Sequence, residues 1–200
     1  MNMFYLRLMF LLMGYSVFAQ NTYKAEIIDF QQELNEQYKD EEESPLSSED
    51  LLRFVAHDFF KINQKYQVEA TYERLENPIT ILMQTSTSRL PEYIRYAKVT
   101  FELDEKTHEL ILYKSKTTPT DPKYIDSLFL PFTDLTNGEE SYDIGRYIDI
   151  KIPEGDTIII DFNKSYNPYC AYSKYYSCPV PPEENQLDVE INAGIKKSNL

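Results

Sequence analysis

The 200-residue sequence predicts a mainly β fold: an antiparallel barrel or sandwich of about eight strands preceded by one or two helices, α+β by strict count. Beyond Phe60 the chain runs in short stretches that alternate apolar with polar residues and end in turn residues, the mark of antiparallel sheet. Its 17 Tyr and 11 Phe, with many Val, Ile and Thr, suit pleated surfaces. No strand-helix-strand alternation occurs, so a doubly wound nucleotide fold is a poor fit. The 42% hydrophobic content closes a single core and excludes a disordered chain.

Residues 1–19 read as a cleaved export signal, in which Arg7 supplies the charge, Leu8 to Met13 the apolar core and Val17-Phe18-Ala19 the small-residue cleavage site. That apolar run is too short for a bilayer span, and no Cys follows it, so the mature chain is expected to carry neither a transmembrane nor a lipid anchor and to lie in the periplasm or outside the cell. Residues 20–43 form an N-terminal unit. Tyr23, Ile27, Phe30, Leu34 and Tyr38 fall at helical spacing, and the acidic run Asp40 to Glu43 ends the helix as a solvated linker. Residues 44–200 form one β-rich domain. Ser47 or Ser48 caps a second short helix, expected to stop near Asp58.

Strands follow around Tyr66–Tyr72, Ile79–Met83, Val99–Leu103, Leu110–Leu112, Leu128–Phe132, Tyr142–Ile152, Thr157–Phe162 and Leu187–Ala193. Turns fall at Glu76-Asn77-Pro78 and Asp104-Glu105.

A formal charge of −13 repels phosphate backbones and anionic membranes, so a nucleic-acid partner is excluded. Five glycines without a phosphate-binding pattern leave no nucleotide loop. The two histidines, His57 at a helix end and His108 in an exposed hairpin, are not tied to each other, and no serine-hydrolase motif is present. No metal and no cofactor are expected. In an exported chain Cys170 and Cys178 predict a disulfide over a seven-residue loop, contributing ~2 to 3 kcal/mol, with a redox pair or a metal clip as the competing reading.

The turn Pro153-Glu154-Gly155-Asp156, read as a two-residue hairpin, places Ile152 by Thr157, Ile150 by Ile159, Ile148 by Asp161 and Arg146 by Asn163. Alternation then gathers Tyr142, Arg146, Asp161 and Asn163 on the core side at one rim, joined by Asp134, Asn137, Tyr166 and Asn167. Such a cluster is either a ligand pocket at a barrel mouth or a structural Arg146–Asp161 pair orienting the long loop that follows.

Three ordered segments resemble one known family: Leu128-Phe129-Leu130-Pro131-Phe132-Thr133-Asp134-Leu135-Thr136-Asn137-Gly138, then Gly145-Arg146-Tyr147, then Asp161 to Pro168 continuing through Cys170-Ala171-Tyr172 to Cys178-Pro179-Val180-Pro181-Pro182-Glu183-Glu184-Asn185. With Ser44-Pro45-Leu46 and Asp58-Phe59-Phe60 they are similar to the domain of unknown function 1684 over about residues 44–197, in an exported bacterial-type member. The resemblance implies membership and no particular chemistry. His57, Lys61, Ser141 and Asp143 depart from the family's usual residues, which makes His57 a poor candidate for a shared role.

These readings converge on a monomeric, exported binding or envelope-associated module without catalysis, in which Arg146 holds an anionic or polyhydroxy ligand, carbohydrate included. The alternative is a glycan or ester hydrolase using carboxylates, Asp134 and Asp161, at the same rim.

Overall fold

The computed structural model describes residues 3–199, with side-chain surroundings from Asn21 onward and Lys123 excepted; the expected signal, residues 1–19, lies outside that described range of side chains. Helix α1 (Met3–Lys39) turns the anticipated stripe onto the domain, with Tyr23, Ile27 and Tyr38 buried and Phe30 and Leu34 half-buried. Past its end, the Asp40 carboxylate accepts the backbone N–H of Glu42 at 2.8 Å, and the Ser44 hydroxyl donates to the Tyr38 carbonyl at 2.8 Å. Helix α2 (Ser48–Arg53) is capped by Ser47, whose Oγ accepts the Asp50 N–H at 3.1 Å. It stops five residues before the anticipated Asp58 because Phe54 turns extended and buries against Tyr38, with ring centroids 5.9 Å apart.

Seven strands form one antiparallel sheet: β1 (Gln67–Arg74), β2 (Thr80–Leu82), β3 (Glu92–Leu103), β4 (Lys106–Ser115), β5 (Ser127–Phe132), β6 (Arg146–Lys151) and β7 (Thr157–Asp161). Their order is β6-β5-β4-β3-β1-β7, with β2 on the far end of β3, and the sheet curls into a half-barrel. The β3–β4 connection is a two-residue loop in which Asp104 (φ 53°) and Glu105 (φ 60°) are both left-handed, as a type I′ turn requires.

The other anticipated hairpin is corrected. Strands β6 and β7 are not paired; β6 lies on β5 with Ile148 opposite Leu130, and β7 lies on β1 with Ile160 opposite Val68. Neither Glu154 nor Gly155 has the positive φ that a two-residue turn of that kind needs. Instead the Ile152 N–H bonds the Asp126 carbonyl, and the chain crosses to the opposite edge of the sheet, where the Tyr72 N–H bonds the Asp156 carbonyl at 2.7 Å.

Other strand limits also change: β3 begins at Glu92 rather than Val99, and β4 runs from Lys106 to Ser115. The stretch from Tyr142 joins a tight loop and β6 begins only at Arg146. Leu187–Ala193 is not a strand; it lies irregularly against the inner face, where Leu187, Ile191 and Ala193 enter the core. That core takes alternate residues of the strands, among them Val99, Leu112, Leu130, Ile148 and Ile160, with Phe162 from the turn after β7. Burial of each such side chain stabilises by about 1.5–3 kcal/mol. The outer face carries a second cluster of Met83, Ile111 and Tyr113, with Tyr93 and Phe129 packed against it. His108 is buried rather than exposed, stacked on Phe101 at 5.5 Å with Nε2 3.2 Å from the Leu103 carbonyl. Among the described residues no helix is long and apolar enough to cross a membrane.

Candidate functional site

The residues anticipated at one rim divide into three groups. In the first, Arg146 points inward from β6 as its parity with Ile148 and Ile150 requires, and it is wholly buried. Its Nη2 donates to Asp134 Oδ2 at 2.8 Å and to the Ile191 carbonyl at 2.9 Å; its Nη1 donates to the carbonyls of Ala193 (2.5 Å) and Ile195 (3.2 Å). The guanidinium lies 5.3 Å from the Phe132 ring centroid and 5.7 Å from that of Phe60. Burial pulls its pKa down against the opposing pull of Asp134.

Asp134 Oδ1 meanwhile accepts from the Thr136 N–H and hydroxyl and from the Ile191 N–H. Asn137 closes the loop, accepting the Asp134 N–H at 2.6 Å and donating to the Tyr142 carbonyl at 2.7 Å. This group ties β5, β6 and the C-terminal segment together. The ionic partner of Arg146 is Asp134 and not Asp161, because Asp161 projects from the other face of β7.

In the second group Asp161 and Asn163 anchor α1. Asp161 Oδ1 accepts from the Tyr23 hydroxyl at 3.1 Å and from the Asn163 N–H and side chain at 3.0 Å each. Asn163 also donates to the Tyr23 oxygen at 2.9 Å and clamps the backbone of Asn63 from both sides. Burial and the adjoining carboxylate push the Tyr23 hydroxyl pKa upward, so it stays a donor.

The third group lines a cleft of about 950 Å³ between the C-terminal half of α1, the outer face of the sheet and the loop after β7. Its aromatic floor is continuous: ring centroids stand 5.6 Å apart from Tyr93 to Phe129, 4.7 Å from Phe129 to Tyr147 and 5.9 Å from Tyr147 to Tyr166. Tyr166 donates to Asp149 at 2.6 Å, and Tyr147 donates to the Pro179 carbonyl. Desolvation pushes both hydroxyls far up in pKa. Gln37 bridges α1 to Tyr169 across the cleft at 2.8 Å. Asn167 is buried beside it, donating to Tyr172 and to the Lys196 carbonyl.

Cys170 and Cys178 are free thiols that face each other, and the Cys170 N–H donates to Cys178 Sγ at 3.2 Å. Cys170 is half-buried, with the Tyr142 hydroxyl 3.7 Å from its sulfur; Cys178 is buried and borders the cleft. The hydrogen bond between the thiols lowers the pKa of Cys170 to about 6 and raises that of Cys178, which burial raises further.

Sequence reasoning passed over the cleft's floor: Phe129 read there as an ordinary strand residue, and Tyr93 lay ahead of the strand expected at Val99–Leu103. The only available signal was that Tyr93 and Phe129 are large aromatics on the outward side of their strands. His57, set aside on sequence, packs edge-on to Tyr38 at 4.3 Å and keeps Nδ1 3.3 Å from the Tyr172 hydroxyl. No group of three or more His, Cys, Asp and Glu able to hold a metal occurs among the described residues.

Comparison with known proteins agrees with this geometry in fold. An uncharacterized protein of Haloarcula marismortui, solved in solution by NMR, is similar at 31% identity and a TM-score of 0.69, over 89% of this chain and 96% of that one. No curated protein matches the sequence. Residues 53–196, which hold all seven strands, the Arg146–Asp134 knot and both cysteines, match the family described as Protein of unknown function (DUF1684), and the chain belongs to that family.

Proposed function

We propose that the protein is an exported, non-catalytic binding module that takes a polyhydroxy ligand in the cleft between α1 and the outer face of the sheet. The half-buried rings of Tyr93 and Phe129, backed by the buried ring of Tyr147, carry this reading. A saccharide presents apolar C–H faces that stack on such rings, and hydroxyls that need acceptors at the rim. Glu33 and Glu36 on α1 and Asp40 just past its end supply those acceptors. An anionic ligand is less well supported: Glu33, Glu36, Asp40, Glu43 and Asp149 outnumber Lys114 and Lys164, and Lys164 is held by Glu26 at 2.5 Å. Arg146 offers no surface to any ligand.

A hydrolase at the anticipated rim lacks support, because Asp134 and Asp161 both spend their oxygens on buried internal partners. Export, with cleavage after Ala19, and a Cys170–Cys178 bond in the exported form complete the reading. Mass spectrometry of natively produced protein is expected to find a mature chain starting near Gln20; an intact Met1 overturns export.

Binding is tested by calorimetric titration of the full chain with neutral cello-, xylo- and chito-oligosaccharides. Saturable 1:1 binding without turnover is expected, weakened at least tenfold by Tyr93→Ala and by Phe129→Ala. No binding at millimolar sugar, or binding unaffected by both variants, overturns the cleft as the site.

A further inference from the structure

We propose that Cys170 and Cys178 are an exchange-active dithiol, in which Cys170 attacks an incoming disulfide and Cys178 resolves it. This goes beyond ligand binding and does not depend on it. It also differs from a passive staple, because the two sulfurs are placed unequally.

Cys170 sits half-exposed in the short 3-10 turn Tyr169–Ala171. Its sulfur lies 3.7 Å from the Tyr142 hydroxyl and beside the Cys178 thiol. Hydrogen bonds of this kind favour the thiolate, which is the attacking species. The value near 6 for Cys170 agrees with that geometry.

Cys178 has the complementary placement. It is buried, and its backbone is fixed to the loop between β2 and β3: its N–H donates to Ser86 Oγ at 3.2 Å, and the Ser86 N–H donates to its carbonyl at 2.9 Å. Next to it, the Ser177 carbonyl accepts from Arg89 at 2.5 Å and Ser177 Oγ lies 2.6 Å from Thr87 Oγ1. The intervening residues 171–177 therefore close a loop whose far end cannot wander. Cys178 is held within reach of Cys170, with less of its own surface open than Cys170. The hydrogen bond with the Cys170 thiol and burial both push its pKa up, against the Cys170 backbone N–H that points at its sulfur.

The exchange balances as follows. The Cys170 thiolate attacks one sulfur of a low-molecular-weight disulfide, forming a mixed disulfide and releasing one thiolate. Cys178 then gives up its proton and attacks Cys170 Sγ, forming the internal bond and releasing the second thiolate. Two protein thiols lose two electrons and two protons, and one external disulfide is reduced to two thiols.

The test uses the reduced full chain and oxidised glutathione, quenched with acid and read by intact mass. Wild type is expected to lose two hydrogens without accumulating an adduct. Cys178→Ser is expected to trap one glutathione, and peptide mapping to locate it on Cys170. Cys170→Ser is expected to react at least tenfold more slowly than Cys178→Ser, and the rate of Cys178→Ser to rise with pH and level off below the range of an ordinary thiol. Equal rates for the two variants, or a wild type that keeps both thiols, overturns the proposal. Should either variant melt well below the parent, substoichiometric iodoacetamide on wild type decides instead: first labelling at Cys170 supports the assignment, and first labelling at Cys178 or at both equally overturns it.

Discussion

The carboxamide of Asn185 fills the gap that Pro131 leaves in the pairing of β4 with β5. Tyr113 pairs with Phe129, so two residues further along the same ladder Ile111 meets Pro131, which has no N–H to give. Asn185 supplies the missing group: Oδ1 accepts the Ile111 N–H at 2.8 Å, and Nδ2 donates to the carbonyls of Ile111 (2.9 Å) and Pro131 (2.7 Å). A proline inside a sheet is tolerated here because a side-chain amide stands in for a peptide group.

Asn185→Leu is accordingly expected to lose about 3 kcal/mol or more, since it strands one buried donor and two buried acceptors. Adding Pro131→Val restores a backbone N–H and is expected to recover part of that loss as the ladder closes directly. Urea melts of the two single variants and the double variant measure this. An Asn185→Leu protein within 0.5 kcal/mol of the parent shows that the carboxamide carries no structural burden.

Arg146 and Asp134 form a fully buried pair, 2.8 Å apart, that also saturates three carbonyls of the C-terminal segment. Arg146→Met keeps part of the stem's bulk but strands a carboxylate and those carbonyls, with an expected loss of ~3 to 5 kcal/mol. Combining it with Asp134→Leu is expected to be less damaging than the sum of the two single changes, a coupling that a thermodynamic cycle reads directly. Hydrogen exchange adds a second readout: residues 191–195 lose protection in Arg146→Met before the rest of the sheet. Uniform protection across the sheet contradicts the role assigned to the pair.

The inward parity of β6 was legible because Arg146, Ile148 and Ile150 alternate with exposed Asp149 and Lys151. Its partner was not, because ladder partners are set by which edges meet across the half-barrel, and a short turn only suggests one pairing. Strand β7 compounded this: Ile158, Ile159 and Ile160 run consecutively, so no alternation marks the inner face, and a one-residue slip moves every side chain across. The structure buries Ile158 and Ile160 and leaves Ile159 half exposed to solvent, which sends Asp161 to the α1 side. Asn185 was readable in principle. A proline in the middle of an apolar strand demands a substitute donor, but nothing in the sequence says which of many polar loop residues provides it.

Gly194 is fixed by its neighbours. With φ +75°, a Cβ there stands 1.9 Å from Ser165 Oγ and 2.6 Å from the Phe162 carbonyl oxygen. Gly194→Ala is expected to push residues 193–195 off the inner face and to cost more than about 2 kcal/mol in a urea melt, through both the left-handed backbone and the clash. Gly138→Ala, at φ +89° with nothing within 4 Å, carries the backbone penalty without the clash and serves as the comparison. Equal losses in the two variants remove the packing argument.

His57 gives the fold an acid-sensitive point. Its ring is enclosed by Tyr38, Phe54, Phe59 and Tyr172, its Nε2 is buried without a partner, and desolvation lowers its pKa from the ordinary 6.5 to about 4. The unfolded chain therefore binds a proton between those two values that the folded chain refuses. The stabilisation is complete above pH 6.5 and is lost as pH falls toward 4. A depression of that size corresponds to at most about 3 kcal/mol, reduced by the residue's partial exposure. His57→Phe keeps a ring in the cluster and removes the titration. Carboxylates also titrate near the lower end of this range, so the decisive quantity is the difference between the two proteins: the gap in stability between wild type and His57→Phe is expected to widen in favour of the variant from pH 6.5 down to pH 4. Parallel stability curves over that interval mean that His57 is charged in the folded state and that its ring cluster opens to water.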